Sequence, residues 1–248
     1  MANQRSSDGR TTKAERKEQA RRERLELQRR MERSRRTRRL ALALAFVLVA
    51  AAAVFALTRP TEAEADPAEL LRQAEQGQRA AGCDPVEDVG PYQPQDRDQV
   101  HVDPAEMPGL STYASTPPAS GPHGQLTQGR GVYDSAPPID RVLHSLEHGA
   151  AVVWYSPTVS GEELDRLRAF YGGEHGDRVI VAPYDYPGEG AAGRLAAGTQ
   201  MALVAWHQVQ LCAELNLPAA FEFTSSYAAP PYEDRAYLGN APEAGIPF

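Results

Sequence analysis

Apolar residues fall into one unbroken run and a series of short clusters. The run is "LALALAFVLVAAAAVFALT", Leu40 to Thr58, nineteen residues without a single charge. As a helix rising 1.5 Å per residue it spans about 28 Å, close to the roughly 30 Å hydrocarbon core of a bilayer. A buried helix of a soluble domain would carry polar residues on one face. A cleaved signal peptide would have a shorter apolar stretch of about 7–15 residues behind a short basic start. Here 39 residues precede the run, so length favours a retained transmembrane helix over 40–58.

The later clusters are shorter and alternate with turn residues. "PAELLRQAEQGQRAAG" reads as a helix, with Asp66 as N-cap, Pro67 at the first position and Gly82 as the stop signal. Residues 84–138 are rich in Pro, Gly, Asp and Gln and have little periodicity. They predict a long irregular arm with short strands such as "QVHVD" at 99–103. A helix over 139–148 follows Pro137-Pro138 and ends at Gly149. "AAVVWYSP" is apolar on both faces and predicts a central strand. "SGEELDRLRAFYGG" predicts a helix with Ser160 as N-cap and Glu163 completing a capping box. "DRVIVAPY" and "GTQMALVAWHQ" read as a second and a third strand. "LPAAFEFTSSY" reads as a last helix starting at Pro218, before a Pro-rich tail. This order predicts a small α/β (α+β) sandwich, thioredoxin-like or ferredoxin-like, behind one N-terminal transmembrane helix.

Charge sets the orientation. Residues 1–39 carry fifteen Lys/Arg against six Asp/Glu, and residues 59–248 carry eleven Arg against twenty-seven Asp/Glu. Basic flanks stay cytoplasmic, so the N-terminus is expected inside and residues 60–248 outside the plasma membrane. The expected organisation is a cytoplasmic basic arm over 1–39 and the span over 40–58. An acidic linker and juxtamembrane helix over 59–82 come next, then an extracytoplasmic domain over 83–230 and a loose tail over 231–248. Residues 21–39 suit contact with anionic lipid. Membrane proximity accounts for the basic charge, so nucleic-acid binding is not invoked. The chain has two cysteines, Cys83 and Cys212. Outside the membrane, and without C-x-x-C spacing, they predict one structural disulfide closing a loop of well over a hundred residues, about 4–5 kcal/mol in the chain-entropy treatment.

The segments "PPASGPH" (117–123), "GVYD" (131–134), "LHSLEHGAAVVWY" (143–155), "VAPY" (181–184) and "ALVAW" (202–206) occur in that order. Together they resemble the bacterial domain of unknown function 3105 family over roughly residues 83–230. The resemblance implies a membrane-anchored extracytoplasmic domain of high-GC bacteria and assigns no activity. His207 departs from the small residue the resemblance leads one to expect after Ala205-Trp206.

The candidate chemistry is histidine. All six histidines, His101, His123, His144, His148, His175 and His207, follow the apolar run. His144 and His148 at i, i+4 share a helix face, with Glu147 beside them. Joined by His123 from the rigid "SGPHG" loop, they supply three imidazole nitrogens of the kind that hold Zn or Cu. Glu147 would then hold one imidazole in place by a hydrogen bond. Three readings stand side by side. The cluster is a metal-binding site of a non-enzymatic cell-envelope domain. Or it is a structural polar network pinning the arm, or part of an envelope interaction module with its acidic surface and Pro-rich arm. Or "HSLEH" is an inverted zincin pattern of a zinc hydrolase, with Glu147 as general base and a further carboxylate from Glu214 or Glu222. A ten-residue helix running straight into an apolar strand argues against the last, and no residue is assigned a catalytic role.

Overall fold

The computed structural model describes residues 65–248. The expected basic arm and the span over 40–58 lie outside the described residues. Among the described residues no helix is long and apolar enough to cross a membrane.

The domain is a mixed α+β fold. It begins with α1, Pro67–Ala80. Asp66 caps it by accepting from the Ala68 N–H, and Pro67 occupies the first turn, where an N–H has no helical partner. The arm follows, carrying β1 (Glu87–Asp88), three single 3₁₀ turns and β2 (Gly131–Val132). Then come α2 (Ile139–Glu147), β3 (Ala151–Tyr155), α3 (Glu162–Gly172), β4 (Val179–Pro183), β5 (Met201–Ala205), β6 (Gln208–Cys212) and α4 (Leu217–Tyr227).

All six strands form one sheet in the order β1-β6-β5-β3-β4-β2. β3 and β4 are parallel neighbours joined through α3, while β5 pairs antiparallel with β3 and β6 antiparallel with β5. β3 lies in the middle and every residue of it is buried, as its two-sided apolar pattern predicts. Alternation sends Val153, Val181 and Leu203 to one face, against Leu167 and Phe170 of α3 and Phe221 and Phe223 of α4. Val152, Trp154, Ile180 and Val204 point the other way, against Val142, Leu143 and Leu146 of α2 and Tyr92 and Tyr113 of the arm. Both faces are thus covered, and α2 is held between the sheet and the arm. α1 lies against α4, where Gly77 allows a close approach: a Cβ there would sit 2.4 Å from the Asn216 Oδ1. The Cys83–Cys212 disulfide forms, tying the end of α1 to β6 across a sequence separation of 129.

Four expectations need correction. "QVHVD" forms no strand; it makes a single parallel bridge, His101 to His123, because the arm around it turns too often to extend a ladder. "GTQMALVAWHQ" is not one strand. The chain reverses at Trp206-His207, with His207 at φ 61°, and β6 returns alongside β5. That turn lacks the usual Gly or Asn and is held instead from outside. The His207 N–H donates to the Ala119 carbonyl, its carbonyl accepts from Val89, and its Nε2 lies 2.8 Å from the Asp98 Oδ2. Ser160 does not cap α3, whose N-cap is Gly161. Glu163 accepts instead from the Leu217 N–H at 2.7 Å, a first-turn amide that has no partner within its own helix. The tail expected to be loose is tied down. The N–H groups of Tyr232 and Leu238 donate to Ser225 and Ser226, and those of Glu243 and Gly245 to the carbonyls of Glu147 and His148.

Candidate metal centre

The arm delivers two histidines to α2. Its backbone is fixed by Asp98, a buried carboxylate that accepts from the Tyr92 N–H at 2.6 Å and from the Ser120 hydroxyl at 2.6 Å. Burial pushes Asp98 up, but His207, Ser120 and the Tyr92 amide together outweigh it and hold the carboxyl below its ordinary range. The loop then passes through Gly121 at φ 115°, where a Cβ would strike the rings of Tyr92 and Tyr113 at 2.8 and 2.9 Å. Tyr113 donates its hydroxyl to the Pro122 carbonyl at 2.7 Å. His123 emerges from this fixed turn fully buried. The bridge to His101 (Val102 N–H to the His123 carbonyl, 2.8 Å) brings the second imidazole beside it.

α2 supplies the other wall. Pro138 precedes it, Asp140 sits in its first turn where the helix dipole favours an anion, and Gly149 ends it at φ 92°. His144 and Glu147, three residues apart, face the arm. The Nε2 of His101 lies 3.3 Å from the Nε2 of His144 and 3.9 Å from the Glu147 Oε2. The Nε2 of His123 lies 3.0 Å from the same Oε2. His101, His123, His144 and Glu147 each offer one donor atom, and all four atoms lie within 4.8 Å of one another. For metal–ligand bonds of about 2.0–2.1 Å, the edge of a tetrahedron is about 3.3 Å. The three separations just given bracket that edge.

Hydrogen bonding fixes the state of His123. Its Nδ1 lies 2.8 Å from the Gly121 carbonyl, which can only accept, so Nδ1 carries the proton. In the neutral ring Nε2 is then a lone pair aimed at a carboxylate oxygen. Two acceptors at 3.0 Å require a positive charge between them, a proton or a cation. His144 is held neutral: burial, and after it the neighbouring rings of His123, His148 and His101, push its pKa down to about 4. A neutral imidazole is the form that binds metal. The Nδ1 of His144 is buried without a hydrogen-bond partner.

The residues expected from the sequence are only partly brought together. His123, His144 and Glu147 meet, and Glu147 both holds the His123 ring and adds an oxygen of its own. His148 lies a turn further along α2 and does not reach His123. Its Nε2 is 3.0 Å from Glu243 and its Nδ1 3.3 Å from the Pro247 carbonyl. The third imidazole is His101, from the segment read as a strand; nothing in its spacing links it to "HSLEH". The zincin carboxylates are not at hand either, since Glu214 is exposed and Glu222 pairs with Arg235 at 2.6 Å. His207 is engaged with Asp98, and His175 stacks on Phe170, both away from the cluster.

A family described as "Protein of unknown function (DUF3105)" matches residues 105–238, more than half of the chain. The chain belongs to that family. The DUF3105 match takes in the "SGPHG" turn and the whole of α2, and stops short of His101 at one end and Glu243 at the other. No curated protein and no solved structure matches the chain.

Proposed function

We propose that this DUF3105 protein is a non-enzymatic, membrane-anchored metal-binding domain of the bacterial cell envelope. Its ion is Zn or Cu, held by His101, His123, His144 and Glu147. The observation that carries this reading is the meeting of three imidazole Nε2 atoms and the Glu147 carboxylate, with the Nδ1 proton of His123 already committed to Gly121. A mixed nitrogen and oxygen set suits borderline divalent ions. His101 is more than a third exposed, giving the ion a way in, while the other three donors are buried.

The anchor is the apolar segment 40–58, with residues 1–39 cytoplasmic, the stretch 21–39 near anionic lipid, and residues 60–248 outside. The disulfide supports an oxidising compartment. The strand order β4-β3-β5-β6, with β3 and β4 parallel and adjacent, favours the thioredoxin-like arrangement over the ferredoxin-like one. Thiol redox chemistry is not proposed, since Cys83 and Cys212 stand 129 residues apart and lack the C-x-x-C spacing that tunes a reactive thiol. The hydrolase reading is less well supported, because Glu147 is taken up by His123 instead of standing ready as a base.

The test is metal analysis of the full chain, purified in detergent after growth in metal-replete medium, beside His123→Ala and His144→Ala. Wild type should retain Zn or Cu through dialysis and both variants should lose it. Wild type without metal above background would overturn the proposal.

A further inference from the structure

A second acid–imidazole pair lies next to the first and is made by the C-terminal segment. The His148 Nδ1 faces the Pro247 carbonyl, so it carries the proton, and Nε2 meets the Glu243 Oε2 at 3.0 Å with its lone pair. This contact again needs a proton or a cation. Glu243 is not placed there by its side chain. Its own N–H donates to the Glu147 carbonyl at 3.1 Å, the Gly245 N–H donates to His148 at 3.3 Å, and Arg178 binds the carbonyls of His148, Gly245 and Ile246. The backbone of the segment is therefore fixed, and the carboxylate is carried to His148 on it. His144, His148 and Glu243 each offer a donor atom, and these also lie within 4.8 Å of one another. His144 belongs to both sets. Its Nε2 touches His101, and its Nδ1 is buried and unpartnered.

We infer that His144, His148 and Glu243 form a second site for a borderline divalent cation, sharing His144 with the first. The inference rests on the metal-binding reading of the first site. With Nε2 of His144 committed to the first ion, only Nδ1 is left for the second. Double occupancy therefore makes His144 a bridging imidazolate. One N–H bond breaks, its proton leaves to solvent, and the nitrogen lone pair so released binds the second ion. Three protein ligands leave a tetrahedral ion one open position, whereas the first site supplies four. The second ion also ties the C-terminal segment to α2.

The probe is Cu(II) alone, added after chelator treatment to the full chain in detergent, with excess metal removed by dialysis. Wild type should retain two ions per chain, Glu243→Gln one and His144→Ala none. Glu243 is partly exposed and its side chain does not hold the segment in place, so Glu243→Gln tests binding and not folding. Two Cu(II) ions joined through one imidazolate couple magnetically. The electron paramagnetic signal per copper should thus be lower in wild type than in Glu243→Gln. No ion in wild type would overturn the metal reading as a whole. One ion that Glu243→Gln keeps would overturn the second site and leave metal binding intact, whereas one ion that Glu243→Gln loses would overturn the first site and with it the sharing of His144. Two ions with full, uncoupled signals would overturn the sharing of His144.

Discussion

The Nε2 of His123 faces the Oε2 of Glu147 at 3.0 Å, while its Nδ1 is committed to the Gly121 carbonyl. This pairing turns a question about a motif into one about charge. A carboxylate and a ring lone pair repel each other unless a proton or a metal ion lies between them. Both partners are buried, so water does not screen the contact.

Glu147→Gln separates the two possibilities. The amide keeps the size of the side chain, and its NH₂ can donate to the His123 Nε2 in the tautomer that Gly121 already imposes. The metal-free fold should therefore hold, with a shift in Tm of no more than a few degrees, about 1 kcal/mol or less. Metal affinity should fall by at least the roughly 10–100-fold that follows loss of an outer partner. Competition with a chromophoric chelator measures the affinity, and thermal unfolding of the metal-free protein measures the fold. Unchanged affinity would remove Glu147 from the site.

Gly121→Ala probes the loop that aims His123. A methyl group there meets Tyr92 and Tyr113 below 3.0 Å, at a φ that L-residues rarely adopt. Strain of that kind costs about 1–3 kcal/mol. The shift also moves the carbonyl that fixes the His123 tautomer, so retained metal should fall along with Tm. The control is Gly188→Ala, in open space on an exposed turn, which should change neither. Chemical denaturation and metal analysis on the same preparations give both readouts.

The parts legible in the sequence were those with a local cause. Asp66-Pro67 marks the start of α1 because the cap and the missing N–H act within one turn. The unbroken apolar stretch before Tyr155 marks β3 because only a strand covered on both faces needs it. The cysteines paired on compartment alone. What was not legible depends on distant partners. His207 turns the β5–β6 hairpin only because Asp98, Ala119 and Val89 receive it, about ninety to a hundred and twenty residues earlier. Glu163 leaves its own helix for the amide of Leu217. At the site, "HSLEH" marked α2 correctly but not which of its residues act together. His101 and Glu243 reach α2 from two irregular segments, and no spacing rule connects them to it.

Reduction of Cys83–Cys212 should loosen the junction of α1 with β6 without reaching His101, His123 and His144, which gather by α2 on the opposite face of the sheet. The Cys83→Ala/Cys212→Ala variant is expected to lose about 2–5 kcal/mol against urea and to keep its metal at neutral pH. Thiol titration of unfolded wild-type protein from the cell envelope should find no free thiol. Two free thiols would contradict the oxidising compartment proposed for residues 60–248.

Asp98 sets a limit on acid stability. Its carboxyl lies below the ordinary value of 3.8 because His207, Ser120 and the Tyr92 amide outweigh the cost of burying it. A carboxylate whose folded pKa is lowered binds fewer protons in the native state than in the unfolded state over the interval between the two values. Its contribution is complete above the unfolded value and drains away as pH falls through the lower, folded one. Asp98→Asn keeps an oxygen for Ser120 and Tyr92 but loses the negative charge facing His207. At neutral pH it should cost about 1–3 kcal/mol, the loss expected for a buried charge-assisted hydrogen bond. The difference between the two proteins should then narrow as the wild type is carried below about pH 4. Urea midpoints at pH 7, 5, 4 and 3 would measure this, and a gap that stayed constant across the series would show that the Asp98 charge does not support the arm.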